Sequence, residues 1–269
     1  MSLVIDYTGY KSLAIARKNR ILTIVLSRPE VLNACNAEMH EELSRIFVDA
    51  ENDPEVDVIV ITGAGRAFSA GGDILWMQQL IDNPAIEEGA VQAEAKKIIY
   101  AILECEKPIV ARVPGDAIGF GATVALFCDI IVASENARFG DPHVKVGLVA
   151  GDGGAIIWPQ LIGFARAREY LMLGSLITAS EAARIGLINH VVPEAELDGR
   201  VNSIVQALAT GAQKSIRWSK AAVNLPLRQM AHAMMDTSMA WEVLSNLSED
   251  HQEAVNAFRE KRRPKFAGR

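Results

Sequence analysis

The stretch that decides the fold runs from Lys107 to Gly154, KPIVARVPGDAIGFGATVALFCDIIVASENARFGDPHVKVGLVAGDGG. Pro108 to Val113 is an apolar run of buried-strand length, and Pro114-Gly115 ends it ahead of the turn Gly119-Phe120-Gly121. Ala122 to Cys128 alternates too little for a half-exposed strand and predicts a short buried helix; Asp129 to Ala133 predicts a second strand. Glycine on both sides of Phe120 lets backbone N–H groups at the helix start lie bare, where they stabilise negative charge. That is what an oxyanion hole needs. Taken alone, such a turn fits equally well a tight connection with nothing bound.

Upstream the same design recurs. Val58 to Thr62 is again a short apolar strand, followed by GAGRAFSAGGDI and an apolar helical start at Ile74. One bare donor is a weak signal, but a pair of turns can aim two donors at one carbonyl oxygen.

Phe68-Ser-Ala-Gly-Gly-Asp-Ile74, Lys107-Pro-Ile-Val-Ala111, Gly119-Phe-Gly121, Cys128-Asp-Ile130 and Phe139-Gly140, in that order and spacing, resemble the enoyl-CoA hydratase/isomerase (crotonase) superfamily. The resemblance covers nearly the whole chain. It implies an α/β fold, a ββα spiral core with a C-terminal helical domain, in a homotrimer or hexamer acting on acyl-CoA. It also implies that the N–H groups of Gly72 and Phe120 form the oxyanion hole for a thioester enolate, although most members carry glycine at the position of Phe120. Coenzyme A enters as part of the substrate, with no tightly bound cofactor and no metal. The implied contacts to it are Glu30, Val31 and Leu32 in the loop Pro29-Glu-Val-Leu-Asn33, then Ala70, Gly72, Asp73 and Ile74, and finally Phe258 and Lys261 of the basic tail, which by the resemblance close over the coenzyme A adenine of a neighbouring subunit.

The chain departs from the hydratase pattern at two positions. Hydratases of this family place one glutamate two residues after the second turn and another directly after the proline that follows Phe-Gly; here those positions hold Thr123 and His143. Hydration of an enoyl thioester needs one group to orient water and another to deliver a proton to the α carbon, and threonine is too weak an acid to serve. Thr123 is left as a substrate-contacting candidate. His143 with Asp152 nine residues on is the chain's alternative: a histidine oriented by a carboxylate is a competent base near neutral pH. The run from His143 to Pro159 is also similar to the β-diketone hydrolase branch, whose histidine and aspartate activate water for carbon-carbon cleavage. The plain structural alternative is a solvated loop histidine and a turn-forming aspartate before Gly153.

The rest of the chain is consistent with an ordinary globular enzyme. It has 269 residues, half of them apolar, enough to bury a sizeable core. A net charge of −6 gives no electrostatic footprint for nucleic acid. No run approaches a membrane span and Met1 to Tyr10 lacks the pattern of a signal peptide, so a cytoplasmic location is expected. Cys35, Cys105 and Cys128 have neither metal-ligand spacing nor an even count for disulfides.

Leu13 to Ala16 and Ile21 to Leu26 predict an opening hairpin, and Met39, Leu43, Ile46, Phe47 and Ala50 mark one face of a helix over Glu38 to Ala50. Ala85 to Cys105 carries a second helical stripe; Trp76 to Pro84, poorly periodic and beside the first turn, reads as a mobile lid. Ala165 to Leu173 reads as a helix, Thr178-Ala-Ser-Glu181 as a capping box, and Leu187 to Val192 as a strand. Near Pro193 the character changes, dividing residues 1–193, the spiral core, from residues 194–269, a helical unit for oligomerisation and closure of the coenzyme site. Four helices are expected there: Glu194 to Ala209, Ser215 to Asn224, Arg228 to Leu247 and Glu249 to Arg262.

The functional expectation is an acyl-CoA enzyme that stabilises a thioester enolate, with double-bond isomerisation or hydratase-like chemistry foremost. Hydrolytic cleavage of a β-dicarbonyl by His143 and Asp152 is the alternative reaction. A catalytically inactive member that binds acyl-CoA or RNA is the alternative without chemistry.

Overall fold

The computed structural model describes residues 5–269. Strands β1 (Leu13–Lys18) and β2 (Ile21–Leu26) form the expected antiparallel hairpin, closed at Asn19 and Arg20, both at positive φ. From β2 the sheet continues in parallel through β3 (Val58–Gly63), β4 (Ile109–Val113), β6 (Ile130–Ser134) and β9 (His190–Val192), giving six strands in the order β1-β2-β3-β4-β6-β9. Parallel pairing requires long crossovers. Helix α1 (Ala37–Asn52) lies between β2 and β3, and α3 (Gln92–Glu104) between β3 and β4, after α2 (Ile74–Asp82). A second sheet of three short strands, β5 (Ala117–Ile118), β7 (Arg138–Gly140) and β8 (Ile177–Thr178), completes each turn of the spiral.

All six residues of β3 are buried, which is why its sequence is an unbroken apolar run and not an alternation. One face of the large sheet packs on α1 and α3 through Ile59, Ile61, Leu43, Phe47 and Ile98. The other face, with Val58, Val60, Val110 and Val132, is covered by Leu197, Val201 and Val205 of α7 (Leu197–Ala209). Asn36 caps α1 by accepting a hydrogen bond from Met39 N, which fixes where the apolar stripe starts.

Over the poorly periodic Trp76 to Pro84, residues 74–82 form a regular helix, α2, which Asp73 caps by accepting from Leu75 N. Three expectations need correcting. The short helix α4 starts at Phe120, not Ala122, and all of Phe120–Leu126 is buried. The helix expected at Ala165 begins at Gly154; α5 (Gly154–Leu173) carries a break at Gly163, φ 78°, which hid its first half from a periodicity argument. The two helices expected around Pro226 are one, α8 (Gln213–Asn246), for a proline removes one hydrogen bond but tertiary packing can keep the helix going.

Helix α6 (Ala179–Arg184) starts as expected at Thr178, whose hydroxyl accepts from Glu181 N. Helix α8 packs along α3 and α5, and α9 (Glu249–Arg259) packs against α2 and the turn of His143–Val146. Among the described residues no helix is long and apolar enough to cross a membrane.

Candidate active site

The two glycine turns lie side by side because Ile118 N donates to Ser69 O at 3.0 Å, a parallel bridge between the two loops. Ser69 Oγ donates to Asn33 O at 2.8 Å and accepts from Gly71 N at 3.2 Å; the Asn33 amide in turn reaches the carbonyls of Ala64, Ala67 and Phe68. Gly71 has φ 94° and Gly119 φ 54°, left-handed conformations that glycine adopts at no steric cost. Each turns the following N–H out of the local network. Among the described residues, neither Gly72 N–H nor Phe120 N–H meets an acceptor.

A third connection brings in the histidine. Gly119 N donates to Gly140 O at 2.8 Å, tying the second turn to β7, and β7 runs directly into Asp141-Pro142-His143. His143 is 8% exposed, so it is not the solvated loop residue that the plain alternative described. Its Nδ1–H donates to Asp141 Oδ1, and its Nε2 lies 3.4 Å from Asp152 Oδ2. The structure does bring His143 and Asp152 together. However, Asp152 faces Nε2, and the carboxylate that fixes the ring at Nδ1 is Asp141, a residue the sequence reading passed over. The signal was local, an Asp-Pro-His run in which the side chains two residues apart share one side of a tight turn.

Burial works against a charged imidazole, but the charges of Asp141 and Asp152 and their hydrogen bonds outweigh it, so His143 has a pKa well above the ordinary histidine value. Burial likewise raises Asp152, yet His143, Gly154 N–H and Thr123 hold its carboxyl below the usual range. Thr123 itself is fully buried and sits behind Asp152, with Oγ1 donating to Oδ1 at 3.3 Å; it lines neither of the spaces described below. Asp141, His143 and Asp152 place donor atoms within 4.8 Å of one another, a spacing that suits a metal as well as a proton relay. Because each ring nitrogen already faces a carboxylate, the relay accounts for the ring's orientation without an ion.

Two spaces meet at this wall. An open groove of about 890 Å³ is lined by Glu30, Val31, Leu32, Ala70, Gly72, Asp73 and Ile74, so seven of the residues expected to contact coenzyme A share one surface, and Phe258 of the same chain, expected at a neighbouring subunit's coenzyme, lines it too. Lys261 does not line it. Two cations that the sequence reading missed do: Arg28, paired with Asp73 at 2.9 Å, and the exposed Arg66. Adjoining the groove is a smaller space of about 80 Å³ bounded by Trp76, Leu80, Met239, His40 and His251. Gly72, Met77, Phe120 and His143 border both spaces.

The groove thus ends at two N–H groups without an acceptor among the described residues, beside a buried histidine held between two carboxylates. The family model for enoyl-CoA hydratase/isomerase matches residues 16–269. A crotonyl-CoA hydratase of Syntrophomonas wolfei is 34% identical over 259 residues, 96% of this chain and 98% of that protein. The crystal structure of an enoyl-CoA hydratase/isomerase from Mycobacterium paratuberculosis superposes with a TM-score of 0.85 at 34% identity, covering 91% of this chain and 97% of that one. A β-diketone hydrolase from the cyanobacterium Anabaena, bound to (S)-3-oxocyclohexyl acetic acid, superposes with a TM-score of 0.82 at 28% identity, covering 90% and 96%. The chain belongs to the enoyl-CoA hydratase/isomerase family, and it is an enzyme of the crotonase fold.

Proposed function

We propose that the protein binds an acyl-CoA in the groove, takes the thioester carbonyl oxygen on the N–H groups of Gly72 and Phe120, and moves a proton on the resulting enolate with His143. The observation that carries this reading is that both unused donors and the His143 imidazole border the same two spaces. Donors aimed at a developing oxyanion stabilise the enolate, and one ring can remove a proton at one carbon and return it at another. Asp141 keeps the ring oriented, and Asp152 stabilises its protonated form. Double-bond isomerisation needs nothing further. Hydration needs a second acid, and Thr123, donating to Asp152, is not one.

In this reading coenzyme A is part of the substrate, with Arg66 as a cation for its phosphates, and no cofactor is held tightly. Residues 194–269 serve assembly into a trimer or hexamer, which the exposed Trp218, Val223, Trp241 and Leu244 support. Three buried, unpaired cysteines suit the cytoplasm.

The test is a panel of 2- and 3-enoyl-CoA esters followed by mass spectrometry. Isomerisation should exceed hydration, and crotonyl-CoA hydration should run about 100- to 10,000-fold below a two-glutamate hydratase. Hydration at ordinary family rates would overturn the assignment of His143.

A second reading is favoured by the same imidazole between two carboxylates together with the likeness to the Anabaena hydrolase. There His143 activates water against one carbonyl of a β-dicarbonyl, and the leaving enolate takes the N–H pair. Turnover of a coenzyme-free diketone, without binding of any thioester, would establish it instead.

A further inference from the structure

The charges on the groove wall nearly cancel. Arg28 is held by Asp73 at 2.9 Å and donates to Ala34 O at 2.5 Å, so its charge is answered within the protein. That leaves Arg66 and Glu30, opposite in sign, both exposed on the groove and both without an ion-pair partner among the described residues. His143, the other ionisable group lining the groove, lies buried between two carboxylates. The basic tail brings no cation to this wall among the described residues: Lys261 does not line it, and Arg262 is engaged by Glu253 and Glu260.

Glu30 is placed by backbone bonds. Pro29–Val31 form a 3-10 turn, closed by Val31 N to Arg28 O at 3.1 Å, Leu32 N to Pro29 O at 3.1 Å and Asn33 N to Arg28 O at 2.8 Å. Leu32 and Asn33 leave the turn in left-handed conformations, φ 55° and 56°, and the buried Asn33 side chain accepts from Arg28 N. A Cβ added at Gly65 would fall 3.3 Å from Pro29 Cβ, so the Gly65–Arg66 turn lies against the turn that carries Glu30. Two opposite charges thus sit on adjoining turns of one wall. A phosphate drawn to Arg66 also feels Glu30, because screening acts only over a Debye length of about 8 Å at physiological ionic strength. The repulsion is not small, since one phosphomonoester brings about −1.5 to −2 charges near neutral pH. Val31, Leu32, Ile74, Leu75 and Ile118 on the same groove are apolar and suit an uncharged chain.

We infer that Glu30 is a specificity-determining residue that offsets the pull of Arg66 on phosphate, so that the thioester carrier is read through its uncharged pantetheine arm and the terminal phosphate contributes no net affinity. The inference rests on the acyl-CoA reading above and widens its substrate class to acyl thioesters of carriers that lack the terminal phosphate. The N–H pair of Gly72 and Phe120 holds the thioester in either case.

The experiment is steady-state kinetics on the full chain with one enoyl group carried by coenzyme A and by 3′-dephospho-coenzyme A, at low salt and at about 1 M salt, where the Debye length is about 3 Å. In the wild type, kcat/KM for the two esters should agree within about threefold, and KM for the coenzyme A ester should move less than about threefold with salt. Glu30→Lys leaves Arg66 unopposed and adds a second cation. It should raise the ratio of kcat/KM, coenzyme A ester to dephospho ester, by roughly four- to tenfold at low salt, and high salt should erase the gain. Glu30→Gln, closer in shape, should move the ratio the same way by about twofold, which keeps the test decisive should the lysine variant fold poorly. A wild-type preference for either ester larger than about threefold that salt abolishes would overturn the cancellation, as would a ratio unmoved in both variants. Neither binding nor turnover of either ester would instead overturn the acyl-CoA reading on which the inference depends.

Discussion

Asp141 holds Nδ1 of His143 from two residues upstream, on the opposite edge of the ring from Asp152. This makes Asp141 a positioning residue for the proposed base, and Asp141→Asn tests it. The amide keeps the shape but loses the charge that selects the tautomer and stabilises the imidazolium. Turnover should fall about 100-fold or more, with thioester affinity nearly unchanged. A silent variant would leave Asp152 as the partner that matters. Double replacement with His143→Ala should cost no more than His143→Ala alone, because residues acting as one unit are lost once.

The pH dependence follows from the direction of two shifts. The folded pKa of His143 is raised, so its stabilising ion pairs are fully present below the unfolded value of about 6.5 and are lost as pH rises through the folded pKa. Asp152 is depressed, so its contribution is present above about pH 3.9 and is lost as pH falls through its own folded pKa. Melting temperature should therefore decline on the alkaline side, and His143→Gln should lack that decline. Activity that starts from the neutral ring should rise with pH over the same range. A kcat/KM profile flat from neutral to alkaline pH would count against His143 as the base.

Much of this site was legible because it is built from local signals. Each bare N–H follows a glycine at positive φ in a turn downstream of a buried strand and directly before a helix, and strand-turn-helix order shows in a single sequence. His143 and Asp152 were legible for the same reason, being nine residues apart in one glycine-rich run. The hydrogen bond between His40 and Glu94 was not: its members sit 54 residues apart on two helices, and only packing of α1 against α3 joins them. Arg66 went unread as a groove cation because nothing local shows that the first turn curls beside Pro29 and Val31. Periodicity failed where a residue bends or interrupts a helix without ending it, at Gly163 and Pro226.

Arg66 gives a prediction about the coenzyme. It is exposed on the groove wall, so its attraction for phosphate is screened and modest. Arg66→Ala should raise KM for acyl-CoA esters by roughly two- to fivefold with kcat unchanged, and the difference should shrink at high salt. An equal effect on a coenzyme-free substrate would show that Arg66 is not reading phosphate.

Phe120 combines a backbone donor with a side chain that narrows the smaller space. Phe120→Ala keeps the N–H and removes the ring. Selectivity should shift towards longer acyl chains, measured as kcat/KM for hexanoyl- against butyryl-length substrates. Because the ring is buried against His40, the melt should also register a loss of about 3 kcal/mol or more. Unchanged chain-length preference would place the acyl end elsewhere.

Gly154 offers a way to disturb the relay without touching any of its members. It starts α5 directly behind Asp141, and a Cβ added there would fall 2.1 Å from Asp141 Oδ2 and 3.2 Å from the Ala150 Cβ. Its backbone is helical with negative φ, so alanine is otherwise well suited to the position. The obstacle is a short side chain: Asp141 is fully buried, and Oδ2 has no hydrogen-bond partner among the described residues to give it a second place to go. To admit the methyl group, the carboxylate must rotate away from His143 Nδ1 or the start of α5 must shift, carrying with it the Gly154 N–H that donates to Asp152. Either movement loosens the imidazole. Gly154→Ala should therefore lower turnover towards the level of Asp141→Asn, raise KM little, and shift the pH–activity profile towards that of an ordinary histidine. Gly199, an exposed glycine inside helix α7, meets nothing within 4 Å and serves as the control, since Gly199→Ala should leave activity intact. Full activity in Gly154→Ala would mean that Asp141 can leave the ring without consequence, and the orienting role would pass to Asp152.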